Sequence, residues 1–213
     1  INEYSLDHLI HTSPKPVFVC GSGIVMGGGI GLFNGAQHRI VTENTLLAMP
    51  EITIGLFPDV AGTWFLNRMP GRCGLFVGLT GARLNAADAF YLRLADHYIP
   101  ELDAEKLSEK LAEINWTDKS NLDSSLEKAL CELGNSHPGS DMKSMVHHHM
   151  GVISEICDAT SPGQFAQWFK ALDIEDEWLH QCRTTFEKGS PLSACVIWEQ
   201  INRGRRLNLK EVF

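Results

Sequence analysis

Up to about residue 100, apolar residues fall in short runs punctuated by glycine and proline; beyond it they recur at helical spacing. The spacing predicts a helix over Tyr4 to His11, with Leu6, Leu9 and Ile10 as its apolar face, ended by Pro14 and Pro16. Val17 to Cys20 reads as a buried strand and Gly28 to Gly35 as a short helix. Arg39 to Val41 and Thr45 to Ala48 read as short strands joined by a polar turn at Glu43-Asn44. Helices are expected over Thr63 to Met69, Arg72 to Thr80 and Ala86 to Leu92, and a strand over His97 to Ile99 before Pro100.

Thirteen of the 19 glycines precede residue 100, which marks a boundary there. The second part is helical by pattern. Leu107, Leu111 and Ile114 share one face, and Leu122, Leu126, Leu130 and Leu133 another, closed by Gly134. Ser136 to Ser140 reads as a loop and Met142 to Cys157 as one longer helix. Ser161-Pro162 and Ser190-Pro191 each place a capping serine before a proline at the first helical position. Phe165, Trp168, Phe169 and Leu172 make an aromatic stripe of the kind that fills a core. The expected organisation is an α/β core over residues 1–100 followed by a helical region over 101–213.

Composition narrows the function classes. With 213 residues and 44% hydrophobic content, the chain can bury one sizeable core. A formal net charge of -8 argues against a nucleic-acid footprint, which needs clustered basic residues. No apolar run approaches the ~20 residues of a membrane-spanning helix. The six cysteines, Cys20, Cys73, Cys131, Cys157, Cys182 and Cys195, form no C-x-x-C pair. Their wide spacing in apolar surroundings suggests buried, reduced thiols.

The stretch with chemical potential is Val17 to Asp59. Three consecutive glycines, Gly27 to Gly29, follow an apolar run and open a predicted helix. Without Cβ atoms, the peptide N–H groups there are approachable. The first N–H groups of a helix lack intrahelical partners and carry the positive end of the dipole. That environment suits an oxygen on which negative charge develops, with Gly28 as donor. Two acids follow, Glu51 and Asp59, amid Met49, Ile52, Ile54, Leu56, Phe57 and Val60. Such surroundings desolvate a carboxylate and raise its basicity.

Two competing constellations fail on spacing. Gly21-x-Gly23 mimics a dinucleotide fingerprint, but its third glycine would fall at Met26. In the run His147-His148-His149, successive helical residues point ~100° apart, so the rings do not converge on one ion.

The residues Gly23-Ile24-Val25-Met26-Gly27-Gly28-Gly29-Ile30-Gly31-Leu32, Met49-Pro50-Glu51 through Gly62, and Leu79 to Leu84 resemble the crotonase (enoyl-CoA hydratase/isomerase) superfamily. Within it they are most similar to the 3-hydroxyisobutyryl-CoA hydrolases. The likeness continues over Ala89 to Ile99 and, more weakly, over Ser190 to Ser193 and Leu207 to Phe213.

The resemblance implies an α/β spiral core of short strands and helices with a mainly helical C-terminal region. It implies an oxyanion turn at Gly27 and Gly28, catalytic and substrate-binding roles for Glu51 and Asp59, and an acyl-CoA substrate. No metal or resident cofactor is implied; coenzyme A arrives as part of the substrate. Hydratases of this group carry a glutamate two residues after the glycine triplet, where this chain has Gly31. Water addition by a glutamate pair is therefore disfavoured and thioester hydrolysis preferred, with Glu51 as base or nucleophile. A hydratase or isomerase using Glu51 alone, and a non-catalytic CoA-binding module, remain alternatives.

The resemblance also implies a further layer before Ile1, carrying a second oxyanion N–H, and a further segment after Phe213. Ile1 to Leu6 indeed reads as the interior of a helix, and Leu209 to Phe213 as the start of one. Trimers are common among crotonase-like proteins, which leaves a homo-oligomer open. The expected setting is the cytoplasm in a bacterium or the mitochondrial matrix in a eukaryote.

Overall fold

The computed structural model describes residues 2–118, 120–134 and 137–213. Ile1 and Ser136, both part of sequence expectations, lie outside the described residues. The chain begins with α1 (Asn2–His11), β1 (Phe18–Gly21), β2 (Ile24–Met26), α2 (Gly28–Gly35), β3 (His38–Val41) and β4 (Leu46–Ala48). A 3-10 turn spans Glu51–Ile54. Then come α3 (Gly62–Leu66), α4 (Cys73–Thr80), α5 (Ala86–Tyr91) and β5 (His97–Tyr98). The remainder is helical: α6 (Ala104–Ala112), α7 (Leu122–Leu133), α8 (Met145–His148), α9 (Met150–Cys157), α10 (Pro162–Ala171), α11 (Glu177–Lys188), α12 (Pro191–Gly204) and α13 (Leu209–Val212).

Among the described residues the strands pair in parallel, and an isolated antiparallel bridge joins Leu47 to Leu84. One sheet runs β1-β3-β5, with Phe18 opposite His38 and Ile40 opposite His97; the other pairs β2 with β4, Ile24 opposite Leu46. Parallel neighbours need a crossover, and α2 supplies it for both β1–β3 and β2–β4. Arg39 pins the first sheet by a two-pronged contact, Nε to Asp96 Oδ2 at 2.8 Å and Nη2 to Asp96 Oδ1 at 2.7 Å. That fork geometry fixes β3 against the turn entering β5.

α4 is the hub of the core. Every residue from Cys73 to Thr80 is buried, and α3, α9, α11 and α12 pack around it. One apolar cluster extends from Ile30 through Phe76, Phe165 and Phe169 to Ile201, so helices from both parts of the chain share it. The two serine–proline starts cap α10 and α12 as expected, Ser161 accepting from the Gln164 amide and Ser190 from the Ser193 amide. The C-terminal helices also reach the 3-10 turn. The Ser190 amide donates to the Ile52 carbonyl at 3.0 Å, and Gly189 lies where a Cβ would strike Ile52.

Four expectations are corrected. The predicted inner face of α1 holds only at Ile10, which packs on Gly35 of α2: Leu6 is 47% and Leu9 63% exposed, while Asp7 is fully buried. The predicted helix over Met142 to Cys157 starts at Met145 and breaks at His149, whose φ of -96° and ψ of 13° leave the helical range. The glycine-dense stretch contains β2, a strand hidden between Gly23 and Gly27. Cys73, Cys157 and Cys182 are buried, but Cys20, Cys131 and Cys195 are exposed.

Candidate active site

β2 delivers the chain to Gly27, the residue that caps α2. Gly27 has φ 54° and ψ -127°, a conformation that side chains disfavour and glycine tolerates. The turn lets α2 start at once, with the Ile30 and Gly31 amides both reaching back to the Gly27 carbonyl. Gly28, at the first helical position, has no intrahelical acceptor for its N–H.

Two carboxylates stand over this turn. A Cβ on Gly27 would lie 3.5 Å from Glu51 Oε1, and one on Gly28 would lie 2.5 Å from Glu3 Oε1. The bare glycine faces are therefore what admits both acids. Glu51 opens the 3-10 turn after Pro50 and is 5% exposed, and its Oε2 has no hydrogen-bond partner among the described residues. Burial pushes its carboxyl above the ordinary glutamate range; its own backbone N–H opposes this, and the nearby charge of Asp59 adds to it. The result is a carboxylate of enhanced basicity with one free oxygen. Of the apolar neighbours expected from sequence, Met49, Ile52 and Val60 are buried, whereas Ile54, Leu56 and Phe57 project outward at 72%, 53% and 43% exposure.

Asp59 is half-buried, and its Oδ2 accepts a 2.9 Å hydrogen bond from the Tyr4 hydroxyl. It lines a cavity of about 180 Å³ with Tyr4, Phe57, Gly62, Gln200 and Phe213. Gln200 closes the far wall by donating to the Pro58 carbonyl at 2.5 Å and to Thr63 Oγ1 at 2.9 Å. Immediately after Asp59, Val60 and Ala61 both take left-handed backbone angles, φ 42° and 64°. For a β-branched valine this is strained. It turns the Val60 side chain onto α2, where a Cβ on Gly31 would lie 2.5 Å from Val60 Cβ and 3.1 Å from its carbonyl oxygen.

A family profile described as "Enoyl-CoA hydratase/isomerase" matches residues 1–213. The chain belongs to this family. It is 36% identical over 99% of its length to "3-hydroxyisobutyryl-CoA hydrolase, mitochondrial" of Danio rerio, and 34% identical over 99% to the protein of the same name from Homo sapiens. It spans about half of these relatives, 54% and 53% of their lengths. Among solved structures it is similar to a carnitinyl-CoA dehydratase from Mycobacterium thermoresistibile, with a TM-score of 0.80 and 30% identity over 99% of this chain and 58% of that one. An enoyl-CoA hydratase from Rhodobacter sphaeroides 2.4.1 gives 0.76 at 30% identity, over 99% of this chain and 56% of that one. The fold is that of the crotonases.

In this crotonase, then, Gly28, Glu51 and Asp59 gather near the N-terminus of α2, together with three residues that sequence reading passed over: Glu3, Tyr4 and Asp7. All three come from α1. Their signal was available, because Glu3 and Asp7 are four apart and share a helix face. The leucines of the opposite face drew the eye instead.

Elsewhere, in the histidine run, His148 and His149 pack edge-on with ring centroids 4.7 Å apart. His147 packs on Tyr91, and His149 stacks on Trp178 with its Nε2 3.1 Å from Asp176 Oδ1. Among the described residues no group of three or more His, Cys, Asp or Glu side chains is placed to hold a metal ion. A larger groove, about 480 Å³ along Thr80 to Arg83 and α11, is lined by none of the site residues.

Proposed function

We propose that the intact protein hydrolyses a short-chain acyl-CoA thioester, 3-hydroxyisobutyryl-CoA being the preferred substrate. The observation that carries this reading is the contact between Gly31 and Val60, which leaves no volume for a second catalytic glutamate on α2. Glu51, buried beside Gly27 with an unpartnered oxygen, supports water activation or direct attack on the carbonyl. The names of the relatives support the same substrate class. Both relatives are named as mitochondrial, which favours the mitochondrial matrix as the setting in a eukaryote.

In the reaction, the thioester oxygen lies against the Gly28 N–H, which holds the charge that develops as the carbonyl becomes tetrahedral. Losing one such donor typically costs ~2.7–4 kcal/mol of transition-state stabilisation. Glu51 takes a proton from the attacking water, or attacks to give an anhydride that water then opens. The thiolate of CoA leaves. Asp59, oriented by Tyr4, accepts a hydrogen bond from the acyl hydroxyl at the mouth of the 180 Å³ cavity.

The test follows thiol release and enoyl absorbance in parallel, with 3-hydroxyisobutyryl-CoA and a short enoyl-CoA as substrates. Thiol release is expected; loss of enoyl absorbance without thiol would instead make the protein a hydratase. Tyr4→Phe is expected to raise KM for the hydroxylated substrate about 3- to 10-fold with little change in kcat, the worth of one modest hydrogen bond. The same variant should leave KM for an acyl-CoA lacking the hydroxyl unchanged. A kcat loss on both substrates would remove Tyr4 and Asp59 from substrate recognition.

A further inference from the structure

The loop that carries Asp59 is strained at two successive residues, Val60 and Ala61, with φ of 42° and 64°. Neither is glycine, and such angles persist in other residues only where the surroundings hold them. Part of the hold is internal. The Gly62 amide donates to the Asp59 carbonyl, and a Cβ on Gly62 would lie 2.8 Å from Pro58 Cβ. The rest comes from the far end of the chain. Gln200, on α12, donates from Nε2 to the Pro58 carbonyl at 2.5 Å and to Thr63 Oγ1 at 2.9 Å. Pro58 and Thr63 flank the strained turn, so a single side-chain amide ties its two ends. That nitrogen has two hydrogens, and both are engaged.

The amide has one acceptable orientation. Turned over, it would set its own carbonyl oxygen against the Pro58 carbonyl, acceptor facing acceptor. As it stands, Oε1 is buried and has no hydrogen-bond partner among the described residues. A buried acceptor left unpaired is unfavourable, so the two bonds to the loop are what keep the side chain this way round. The helix delivers it rigidly. Ile197 and Gly204, three residues before and four after, share the helix face of Gln200. A Cβ on Gly204 would collide with Thr63 Cγ2 of α3, and one on Gly78 of α4 would lie 3.1 Å from Ile197 Cγ2. α12 therefore sits in close contact with α3 and α4 on either side of the amide.

We propose that Gln200 is a positioning residue whose amide holds the turn from Pro58 to Thr63 in its strained form and so aims Asp59 at the hydroxyl of the acyl group. Asp59 is then set from two directions. Tyr4 donates to its Oδ2 at 2.9 Å from α1, and Gln200 holds the carbonyl that precedes it from α12. Tyr4, Asp59 and Gln200 line the same 180 Å³ cavity. The clamp also sets Val60, and with it the contact that fills the space beside Gly31.

The aim at a hydroxyl rests on the proposed substrate; the hold on the turn does not. Two measurements on the intact protein separate them. The first is amide hydrogen exchange in Gln200→Leu, which keeps an apolar bulk at 200 and removes the donors. The Gly62 amide is expected to exchange about 10-fold faster than in the wild type, as for the loss of modest hydrogen bonds that hold a local structure closed. Unchanged protection of Gly62 overturns the hold, whatever the protein turns over. The second is kinetic. KM for 3-hydroxyisobutyryl-CoA is expected to rise about 10-fold in Gln200→Leu, and KM for isobutyryl-CoA, the same acyl group without its hydroxyl, by about 2-fold or less. Equal changes on the two substrates would reduce Gln200 to a packing residue and overturn the aim. Asp59→Asn, measured alongside, tells the failures apart. A KM ratio shifted by Asp59→Asn but not by Gln200→Leu leaves the substrate reading standing and ends this proposal. A ratio that Asp59→Asn does not move ends the substrate reading, and the aim with it. If Gln200→Leu folds poorly, Thr63→Val removes one of the two acceptors at nearly the same shape. It is expected to shift the same ratio ~2- to 4-fold, and an unmoved ratio overturns the clamp.

Discussion

Replacing Glu51 with glutamine is expected to lower kcat/KM for thiol release by about 10²–10⁴-fold, the usual worth of a positioned acid–base group. The loss should fall on kcat, because Glu51 stands beside Gly27 at the reacting end rather than along a binding surface. Unfolding is not expected to explain it. Glu51 is buried with one oxygen unpartnered, and burial raises its carboxyl above the ordinary range. A carboxyl raised by folding stabilises the protein at acid pH, and that stabilisation is lost as the pH climbs through the folded-state value. Glutamine, uncharged throughout, should therefore melt no lower than the wild type at pH 8. In the wild type, the acid limb of the kcat/KM profile should lie above the ordinary glutamate range, since Glu51 must lose its proton to act. A Glu51→Gln protein that is folded and fully active would remove Glu51 from the catalytic step.

The second large effect is steric. Gly31→Glu is expected to destabilise the fold severely and to yield no hydratase activity. A Cβ at position 31 already meets Val60 Cβ at 2.5 Å and Val60 backbone at 3.1 Å. Overpacking of that kind costs ~1–3 kcal/mol for added methylenes alone, and a carboxylate buried against valine adds desolvation to it. Gly31→Ala isolates the first part, and its melting temperature measures it. Denaturant unfolding of the two variants checks the order wild type, Gly31→Ala, Gly31→Glu. A stable Gly31→Glu protein with hydratase activity would show that the Val60 loop yields, and the argument for hydrolysis from lack of space would fail.

The parts of the fold legible in the sequence are those governed by local chemistry. Serine–proline starts placed α10 and α12, and glycine boundaries placed α2 and α4, because caps and breakers act on their immediate neighbours. The break at His149 was not legible: no proline is near, and the one neighbouring glycine, Gly151, lies two residues on, inside α9. β2 was hidden because the strand is only three residues long and lies between Gly23 and Gly27. At the site, Glu51 stood out through its apolar neighbours and the glycine turn through its composition. The contribution of α1 did not. Periodicity reports that a helix has an apolar face; it does not report that Leu6 and Leu9 of that face point outward and that an aspartate takes an inward place.

The bond from the Ser190 amide to the Ile52 carbonyl joins the first turn of a late helix to the segment that begins with Glu51. Gly189 fits against the same isoleucine, at a distance that spares no room for a methyl group. Recombination between this gene and another of its kind would thus be unsafe anywhere between those two places. A hybrid could inherit Gly28, Glu51 and Asp59 unchanged and still mis-set the angle of the Glu51 side chain.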